Sequence, residues 1–272
     1  MGKQRILTKE QEDQIIYNYT VLHYGQKRSG AFIPVGDSVV KKVLIKHNIP
    51  IKSIQETNVN KFWVNHEYFK TPSHDMGYWL GILGSDGCVA GQTNQIYIEL
   101  QKSDRELLEK LNLSIQNERP VKDYETGRGY ENSKLYFYSK DIKSDLAKYK
   151  IIPNKTYSND YGFPDLLPKE YWIDYIRGLF DGDGCIKQSN GNSLCWQVDV
   201  GREDIAENII AFFQEHGIKL GWTICPKQNV DLFRIYAYGK DKGQAIYNLL
   251  YSTPSDLFLK RKKEKFETLL NL

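Results

Sequence analysis

The sequence lacks the long apolar runs and paired cysteines that would assign it to a membrane or a disulfide-rich secreted class. No stretch of about 18 or more apolar residues occurs, so no membrane-spanning helix is predicted. The N-terminal residues contain no apolar segment of the kind that a secretory signal requires. Four cysteines without a CxxC pair fit a reducing compartment. We therefore expect a protein of the bacterial or phage-infected cytoplasm, or of an organelle.

A strong net charge is also absent, because 37 Lys and Arg residues nearly balance 34 Asp and Glu residues. The basic surplus is local: residues 1–70 carry 11 basic and 6 acidic side chains. Such a segment could meet a polyanion, although a solvated surface explains the same asymmetry. The hydrophobic fraction of 40 % predicts an ordinary packed core.

The most informative feature of the chain is an internal duplication. Three segments recur in the same order, 77–89 as 175–186, 96–111 as 196–212, and 135–146 as 233–246. Each copy has the pattern αββαββα, which predicts an α+β fold with helices on one face of an antiparallel sheet. The other sheet face must be exposed or bind a ligand. We divide the chain into a helical segment (1–60) and two repeats (61–165 and 166–272).

Each repeat opens with a glycine-rich helix that ends in Asp-Gly. Gly81 and Gly84 share one face of the first helix, and Gly178 and Gly182 share one face of the second. Glycine inside a helix costs about 1 kcal/mol relative to alanine. The two glycine faces therefore indicate that the helix backbones approach each other closely.

The aspartates at the ends of these helices are the strongest functional signal. Asp86 and Asp183 would lie at adjacent helix C-termini, where the helix dipole disfavours negative charge. Two carboxylates in such a place favour a cation, and Mg²⁺ typically takes one or two carboxylates plus water and substrate phosphate. The pattern predicts metal-assisted cleavage of a phosphodiester. Turn chemistry is the alternative for each Asp-Gly pair, with the glycine ending the helix.

The two segments resemble the motif of the LAGLIDADG homing endonuclease family. Residues 176–184 (IRGLFDGDG) match the nine-residue motif closely, and residues 80–87 (LGILGSDG) keep its first glycine and its terminal Asp-Gly. Gly84 stands where an earlier acid is usual, and its counterpart Asp181 would be peripheral. Two motifs in one chain imply a monomer with pseudo-twofold symmetry, whose sheets form a DNA-binding saddle.

The resemblance also implies the chemistry of the site. The last acid of the motif binds the metal, so Asp86 and Asp183 would hold Mg²⁺, with Mn²⁺ as a possible substitute. The backbone carbonyls of Ser85 and Gly182 would face the metal. The implied activity is site-specific cleavage of a long, asymmetric double-stranded DNA target.

Basic residues are expected beside each acid. By resemblance, Lys155 serves the first repeat and Lys262 the second, with Lys260 as the fallback, to polarise water or counter phosphate charge. The alternative for the basic run 260–265 is a solvated helix whose last turn is basic, which the helix dipole would favour.

Strand residues supply the remaining candidates. Gln101 would help to order water, with Lys102 beside it, whereas the second repeat has Gly201 and Arg202, so we expect unequal half-sites. Polar side chains at alternate strand positions would contact the major groove, although a one-residue slip would exchange the sheet faces. The DNA-contact candidates of the whole chain are Lys41, Lys42, Lys46, Gln95, Tyr97, Lys102, Arg128, Lys134, Tyr136, Lys187, Gln197, Arg202, Lys227, Arg234 and Tyr236, with Glu99 and Asp199 on the same strands.

The N-terminal segment has helical signals of its own. Thr8 and Gln11 form a capping-box signature that opens a helix through about Val21, and residues 38–48 predict a second helix with outward lysines. The segment resembles the helix-turn-helix modules appended to phage and intron endonucleases, although its middle helix is not evident. Docking of these helices on the main domain is the alternative.

Three functions use the same features. The leading hypothesis is a Mg²⁺-dependent homing endonuclease acting on double-stranded DNA. The alternatives are an RNA maturase that assists splicing of a host group I intron, and a DNA-binding regulator that does not cut. An intein is disfavoured, because the sequence has no terminal His-Asn.

Overall fold

The computed structural model describes residues 7–22, 24–52, 62–189, 193–226 and 231–272. They form two compact units: the first contains the described residues up to Asn65 with Gln116–Arg119, and the second contains His66–Ile115 and Pro120–Leu272. No helix in the described ranges is long and apolar enough to cross a membrane.

The described residues of the first unit include the helices α1 (Lys9–Thr20), α2 (Gln26–Ser29) and α3 (Asp37–Lys46). The predicted capping box is present, because Thr8 Oγ1 accepts the Gln11 N–H and the Gln11 side chain accepts the Thr8 N–H. The core of the unit consists of Ile15, Tyr19, Ile33, Val40, Val43 and Leu44. The sequence did not predict the short helix α2, because a single turn shows no helical periodicity.

The second unit contains both repeats. The elements of the first repeat are α4 (His74–Ser85), β1 (Gly87–Val89), β2 (Gln95–Gln101), α5 (Arg105–Ser114), β3 (Lys122–Glu125), β4 (Glu131–Tyr138) and α6 (Lys140–Lys148). Those of the second repeat are α7 (Trp172–Asp183), β5 (Gly184–Ser189), β6 (Ser193–Val200), α8 (Glu203–Glu215), β7 (Gly221–Cys225), β8 (Leu232–Tyr238) and α9 (Lys240–Leu250). The predicted αββαββα order is confirmed in both, and a further helix, α10 (Lys260–Leu270), follows these elements at the end of the second repeat.

Each repeat builds one four-stranded antiparallel sheet. The strand orders are β1-β2-β4-β3 and β5-β6-β8-β7. On β2, Ile96 and Ile98 are buried, whereas Tyr97 and Glu99 on the opposite face are partly open. This alternation places the apolar residues beneath the helices and leaves one polar face on each sheet.

The glycine faces of α4 and α7 meet as predicted. A Cβ atom on Gly81 would lie under 3.0 Å from the Tyr175 carbonyl oxygen, and one on Gly178 equally close to that of Tyr78. Further along, a Cβ on Gly182 would collide with the side chain of Ser85. Only glycine permits this approach because backbone atoms occupy the space of a side chain.

The glycines that follow the two aspartates lie just past the helix C-termini, as predicted, and also begin strands. Gly87 and Gly184 do not end their helices in a left-handed conformation; they begin strands, and Gly184 has φ −82°. A Cβ on Gly87 would lie 2.6 Å from Leu83 Cα, so the sharp turn from helix to strand selects glycine. The prediction that each helix ends at Asp-Gly is therefore confirmed, because Gly184 caps α7 and Gly87 directly follows Asp86, the cap of α4.

Asp181, the earlier acid of the second motif, is structural. It is fully buried, and its Oδ2 atom accepts hydrogen bonds from Tyr78 Oη and the Leu259 N–H, each at 2.8 Å. Burial raises the pKa of Asp181 to about 6. At the equivalent position in the first repeat, the Gly84 carbonyl accepts from Tyr161 Oη at 3.0 Å. The missing acid of the first motif is thus replaced by a different buried hydrogen bond.

The helix contact predicts how glycine substitutions affect stability. Gly178→Ala should lower the free energy of unfolding by about 2–3 kcal/mol, because the added methyl group forces the two helix backbones apart. Gly201→Ala is the matched control, since its Cβ meets nothing within 4 Å, and it should change stability by no more than about 0.5 kcal/mol. Denaturant unfolding of both variants tests this. Equal effects would contradict close packing at Gly178.

Candidate active site

Asp86 and Asp183 occupy equivalent places at the ends of the two central helices. Asp86 is the C-terminal cap of α4, and Asp183 is the last residue of α7. Because Gly81 faces Gly178 and Ser85 faces Gly182, the helices run in the same direction and present their C-terminal ends together. Both acids are open to solvent, so they can meet a ligand.

The electrostatics of the two acids are unfavourable without a cation. Partial burial, and then the negative charge of Asp183, raise the pKa of Asp86 to about 6. Partial burial also raises the pKa of Asp183, while the ammonium groups of Lys155 and Lys262 oppose both shifts. Solvent screening reduces the energy involved, because both side chains remain exposed.

Each predicted lysine holds the end of one central helix. Lys155 Nζ donates to the carbonyl oxygens of Leu83, Ser85 and Gly87 at 2.7, 2.7 and 2.8 Å. Lys262 Nζ makes the same three contacts in the second repeat, to Phe180, Gly182 and Gly184 at 2.8, 2.9 and 2.7 Å. Both ammonium groups therefore neutralise carbonyls that a helix end leaves without partners.

These lysines are themselves perturbed. Burial lowers the pKa of Lys155 to about 8 and that of Lys262 to about 8, against the attraction of nearby aspartates. Each ammonium group places a positive charge against the C-terminal carbonyls of its helix. The predicted metal-facing carbonyls of Ser85 and Gly182 each accept one lysine hydrogen bond, which leaves a second lone pair on each oxygen.

The basic run 260–265 lies at the opposite end of its helix from the one considered in the sequence. It occupies the start of α10, where the dipole disfavours positive charge, so the expectation of a basic last turn was wrong. Lys262 is buried against α7, whereas Lys260 is exposed and lies 3.8 Å from Glu264. The structure therefore brings Lys262, and not the fallback Lys260, to the site.

A cleft of about 750 Å³ opens beside Asp86. It is lined by the predicted Gln101 and Lys102, and also by Arg261, which the sequence analysis missed. The Arg261 Nε–H donates to both carboxylate oxygens of the nearly buried Asp104 at 2.8 and 3.1 Å. A basic run at the start of a helix could have indicated this contact. The helix dipole disfavours positive charge there, so an acidic partner is expected.

The second half-site has different surroundings. Arg202 Nη1 donates to Asn159 Oδ1 at 3.3 Å, in a region where the first repeat has Lys102. Asp204, the counterpart of Asp104, accepts the Phe163 N–H at 2.9 Å and no arginine from α10. The two half-sites therefore differ in the position and number of their cations.

The polar sheet faces carry most of the predicted DNA contacts. Tyr97 lies opposite Tyr136, and Gln197 lies opposite Tyr236, on the faces away from the helices. The same faces carry Gln95, Lys134, Lys187 and Arg234. Arg128 is exposed in the turn between β3 and β4, and Lys102 pairs with Glu131 at 2.6 Å. The predicted contact Lys227 lies outside the described residues.

The three lysines predicted on α3 are not equivalent. Lys41 and Lys42 are exposed. Lys46 Nζ donates to both carboxylate oxygens of Glu12 at 2.8 Å, and His47 contacts the same carboxylate at 2.9 Å. Lys46 therefore ties α3 to α1, which leaves Lys41 and Lys42 as the better placed cations.

No protein-family model matches the sequence. An uncharacterized protein of Methanocaldococcus jannaschii is 25 % identical over 198 residues, which cover 70 % of this chain and 71 % of that protein. The structure of the meganuclease I-SmaMI bound to uncleaveable DNA aligns with a TM-score of 0.50 at 13 % identity, over 72 % of this chain and 88 % of that one. The chain has the LAGLIDADG fold.

A second solved structure aligns with a lower TM-score. The N-terminal LAGLIDADG domain of DUF199/WhiA aligns at 14 % identity with a TM-score of 0.43, over 70 % of this chain and 91 % of that one. The predicted α+β class and two-repeat architecture are confirmed by the I-SmaMI alignment and by the two four-stranded sheets.

Within this LAGLIDADG fold, the donor set for a metal is small. No group of three or more His, Cys, Asp or Glu residues is clustered anywhere in the described part of the chain. Asp86 and Asp183, with nearby carbonyl oxygens, form a two-carboxylate set of hard oxygen donors. That set fits Mg²⁺, which keeps water and phosphate as its remaining ligands.

The repulsion at the helix ends predicts a pH-dependent gain in stability. In the presence of a chelator, Asp86→Asn should raise the free energy of unfolding above pH 6 by on the order of 1 kcal/mol, after the discount for solvent screening. The folded pKa of about 6 lies above the ordinary value of 3.8. The wild type therefore loses stability as pH rises through that window.

Thermal unfolding between pH 4 and pH 8 tests this prediction. The gain from Asp86→Asn should be largest above pH 6 and smallest near pH 4, where the wild-type carboxyl is protonated in the folded state and partly ionised in the unfolded state. The exposed Asp160→Asn is the control and should show no such trend. A stability loss in Asp86→Asn at pH 8 would contradict the repulsion.

Proposed function

We propose that this protein is a metal-dependent, site-specific endonuclease that cleaves double-stranded DNA by phosphodiester hydrolysis. The observation that carries the proposal is the paired arrangement of Asp86 and Asp183, presented together by two helices whose ends are held by Lys155 and Lys262. The meganuclease I-SmaMI, which has the same fold, has been captured on DNA.

The metal in this proposal is Mg²⁺, with Mn²⁺ as a possible substitute. Asp86 and Asp183 would bind it, and the carbonyl oxygens of Ser85 and Gly182 would face it. A bound divalent ion supplies an activated water and neutralises phosphate charge. A cation between the two acids would also relieve the repulsion that raises the pKa of Asp86.

The remaining residues bind and orient the DNA. Lys155 and Lys262 hold the acids in place through the helix ends, and their charge favours a phosphate nearby. Gln101, Lys102 and Arg261 line the cleft beside Asp86, where they would donate hydrogen bonds to water or phosphate oxygens. The polar faces of the two sheets would lie in the major groove, which distinguishes all four base pairs.

The N-terminal unit would add a second DNA contact. The helices α1, α2 and α3 among its described residues, with the exposed Lys41 and Lys42 on α3, are typical of a module that contacts phosphates. Because both repeats are present in one chain, we propose that the protein acts as a monomer on an asymmetric target.

Cleavage of a defined substrate tests the function. The substrate is a plasmid carrying the junction obtained by deleting the gene, and any intron that holds it, from its genome. The wild type with Mg²⁺ should linearise it. Asp86→Asn with Asp183→Asn should slow cleavage at least about 100-fold, because a metal supplies several kcal/mol of transition-state stabilisation. Lys155→Met and Lys262→Met should each cost about 10-fold.

Asp160→Asn, an exposed acid in the linker between the repeats, is the matched control and should cleave normally. Full activity of the double Asp variant would refute the assigned site. Binding of the plasmid junction without cleavage in Mg²⁺ or Mn²⁺ would instead indicate a DNA-binding regulator. Stimulated splicing of the host intron transcript without DNA cleavage would indicate a maturase.

A further inference from the structure

The polar faces of the two sheets each contain an ion pair at the equivalent position. On the first sheet, Lys134 on β4 lies opposite Glu99 on β2, and its Nζ donates to Glu99 Oε1 at 2.5 Å. On the second sheet, Arg234 on β8 lies opposite Asp199 on β6, and donates to both carboxylate oxygens at 2.8 and 2.7 Å. Both residues of the second pair follow their counterparts by 100 positions, from 99 to 199 and from 134 to 234.

Additional contacts hold both acids in place. Tyr124 Oη donates to Glu99 Oε2 at 2.8 Å, and Gln197 Nε2 donates to Asp199 Oδ1 at 3.2 Å. Although partial burial opposes it, hydrogen bonds from Lys134 and Tyr124 lower the pKa of Glu99. Glu99 is therefore ionised at neutral pH, and both carboxylates are paired with cations of the same sheet face.

Each pair lies beside one of the two helix-end acids. Glu99 lines the cleft that contains Asp86. The negative charge of Asp199 is close enough to contribute to the raised pKa of Asp183. DNA lying on the two sheets across the site would therefore pass over both pairs.

Carboxylates at these positions oppose binding to the DNA backbone. A Lys or Arg that neutralises a phosphate releases counterions and adds affinity for any sequence. A cation that is already paired with a carboxylate adds less affinity for DNA, and the carboxylate itself repels phosphate. Base edges offer partners for both members of a separated pair, because Arg or Lys can bind guanine and a carboxylate can accept the cytosine amino group.

We propose that Glu99 and Asp199 are specificity-determining residues. Their carboxylates keep Lys134 and Arg234 paired, so that these cations do not contact phosphates. A DNA sequence whose base edges cannot bind both the cation and the carboxylate is then bound with lower affinity. The inference rests on the proposed function only in requiring that DNA binds these faces, and it does not depend on cleavage.

Binding of a random-sequence duplex, measured by fluorescence anisotropy in a chelator, tests the inference. Glu99→Gln and Asp199→Asn should each raise affinity about fivefold at 0.15 M salt, and should each steepen the log–log salt dependence by about 0.9, as expected for one added phosphate contact. The ratio of affinities for the cognate junction and random DNA should fall in both variants.

Asp123→Asn is the matched control for net charge. Asp123 lies on the opposite face of the first sheet, opposite the buried Ser133, and its substitution makes the same charge change. It should alter affinity for random DNA less than twofold. Equal increases in all three variants would overturn the proposal, because net charge alone would then explain them.

A double-mutant cycle provides an independent readout. Arg234→Met should lower random-DNA affinity, because it leaves the Asp199 carboxylate without its cation. Combined with Asp199→Asn, it should remove the gain that Asp199→Asn gives alone. Retention of the Asp199→Asn gain in the double variant would overturn the proposal, because the gain would then not depend on the freed Arg234. DNA binding without cleavage would refute only the endonuclease, whereas no DNA binding by the wild type would overturn both inferences.

Discussion

The close contact between α4 and α7 is the constraint on which the rest of the site depends. Gly81 and Gly178 let the two helix backbones approach to a distance that no side chain would permit. Because the helices run in the same direction, this contact brings two helix C-termini together. The paired acids, their lysines and the two flanking sheets all take their positions from that junction.

The electrostatics of this junction explain why basic residues gather around it. Two helix C-termini carry partial negative charge, and Asp86 and Asp183 add two full charges at the same place. Lys155 and Lys262 offset part of that charge by donating three hydrogen bonds each to the terminal carbonyls. The arrangement is electrostatically unfavourable by itself, and the divalent cation that we propose would relieve the repulsion.

The two repeats differ in the contacts of the equivalent residues Asp104 and Asp204. Asp104 holds Arg261 from the segment that follows the second repeat, whereas Asp204 accepts a backbone N–H from the linker that follows the first. Their sheets, in contrast, keep equivalent ion pairs. The site is therefore approximately symmetric in its acids and lysines and asymmetric in its outer cations, as suits an asymmetric ligand.

The sequence by itself determined the duplication, the order of helices and strands, the glycine contact, the paired acids and both lysines. These features depend on local periodicity, and on a repeat that shows the same signal twice. Only the tertiary structure decided that the basic run opens α10, that Arg261 reaches Asp104, and that Glu99 and Asp199 hold cations of the neighbouring strands. Those contacts join residues far apart in the chain, where strand register and helix packing, rather than local pattern, select the partners.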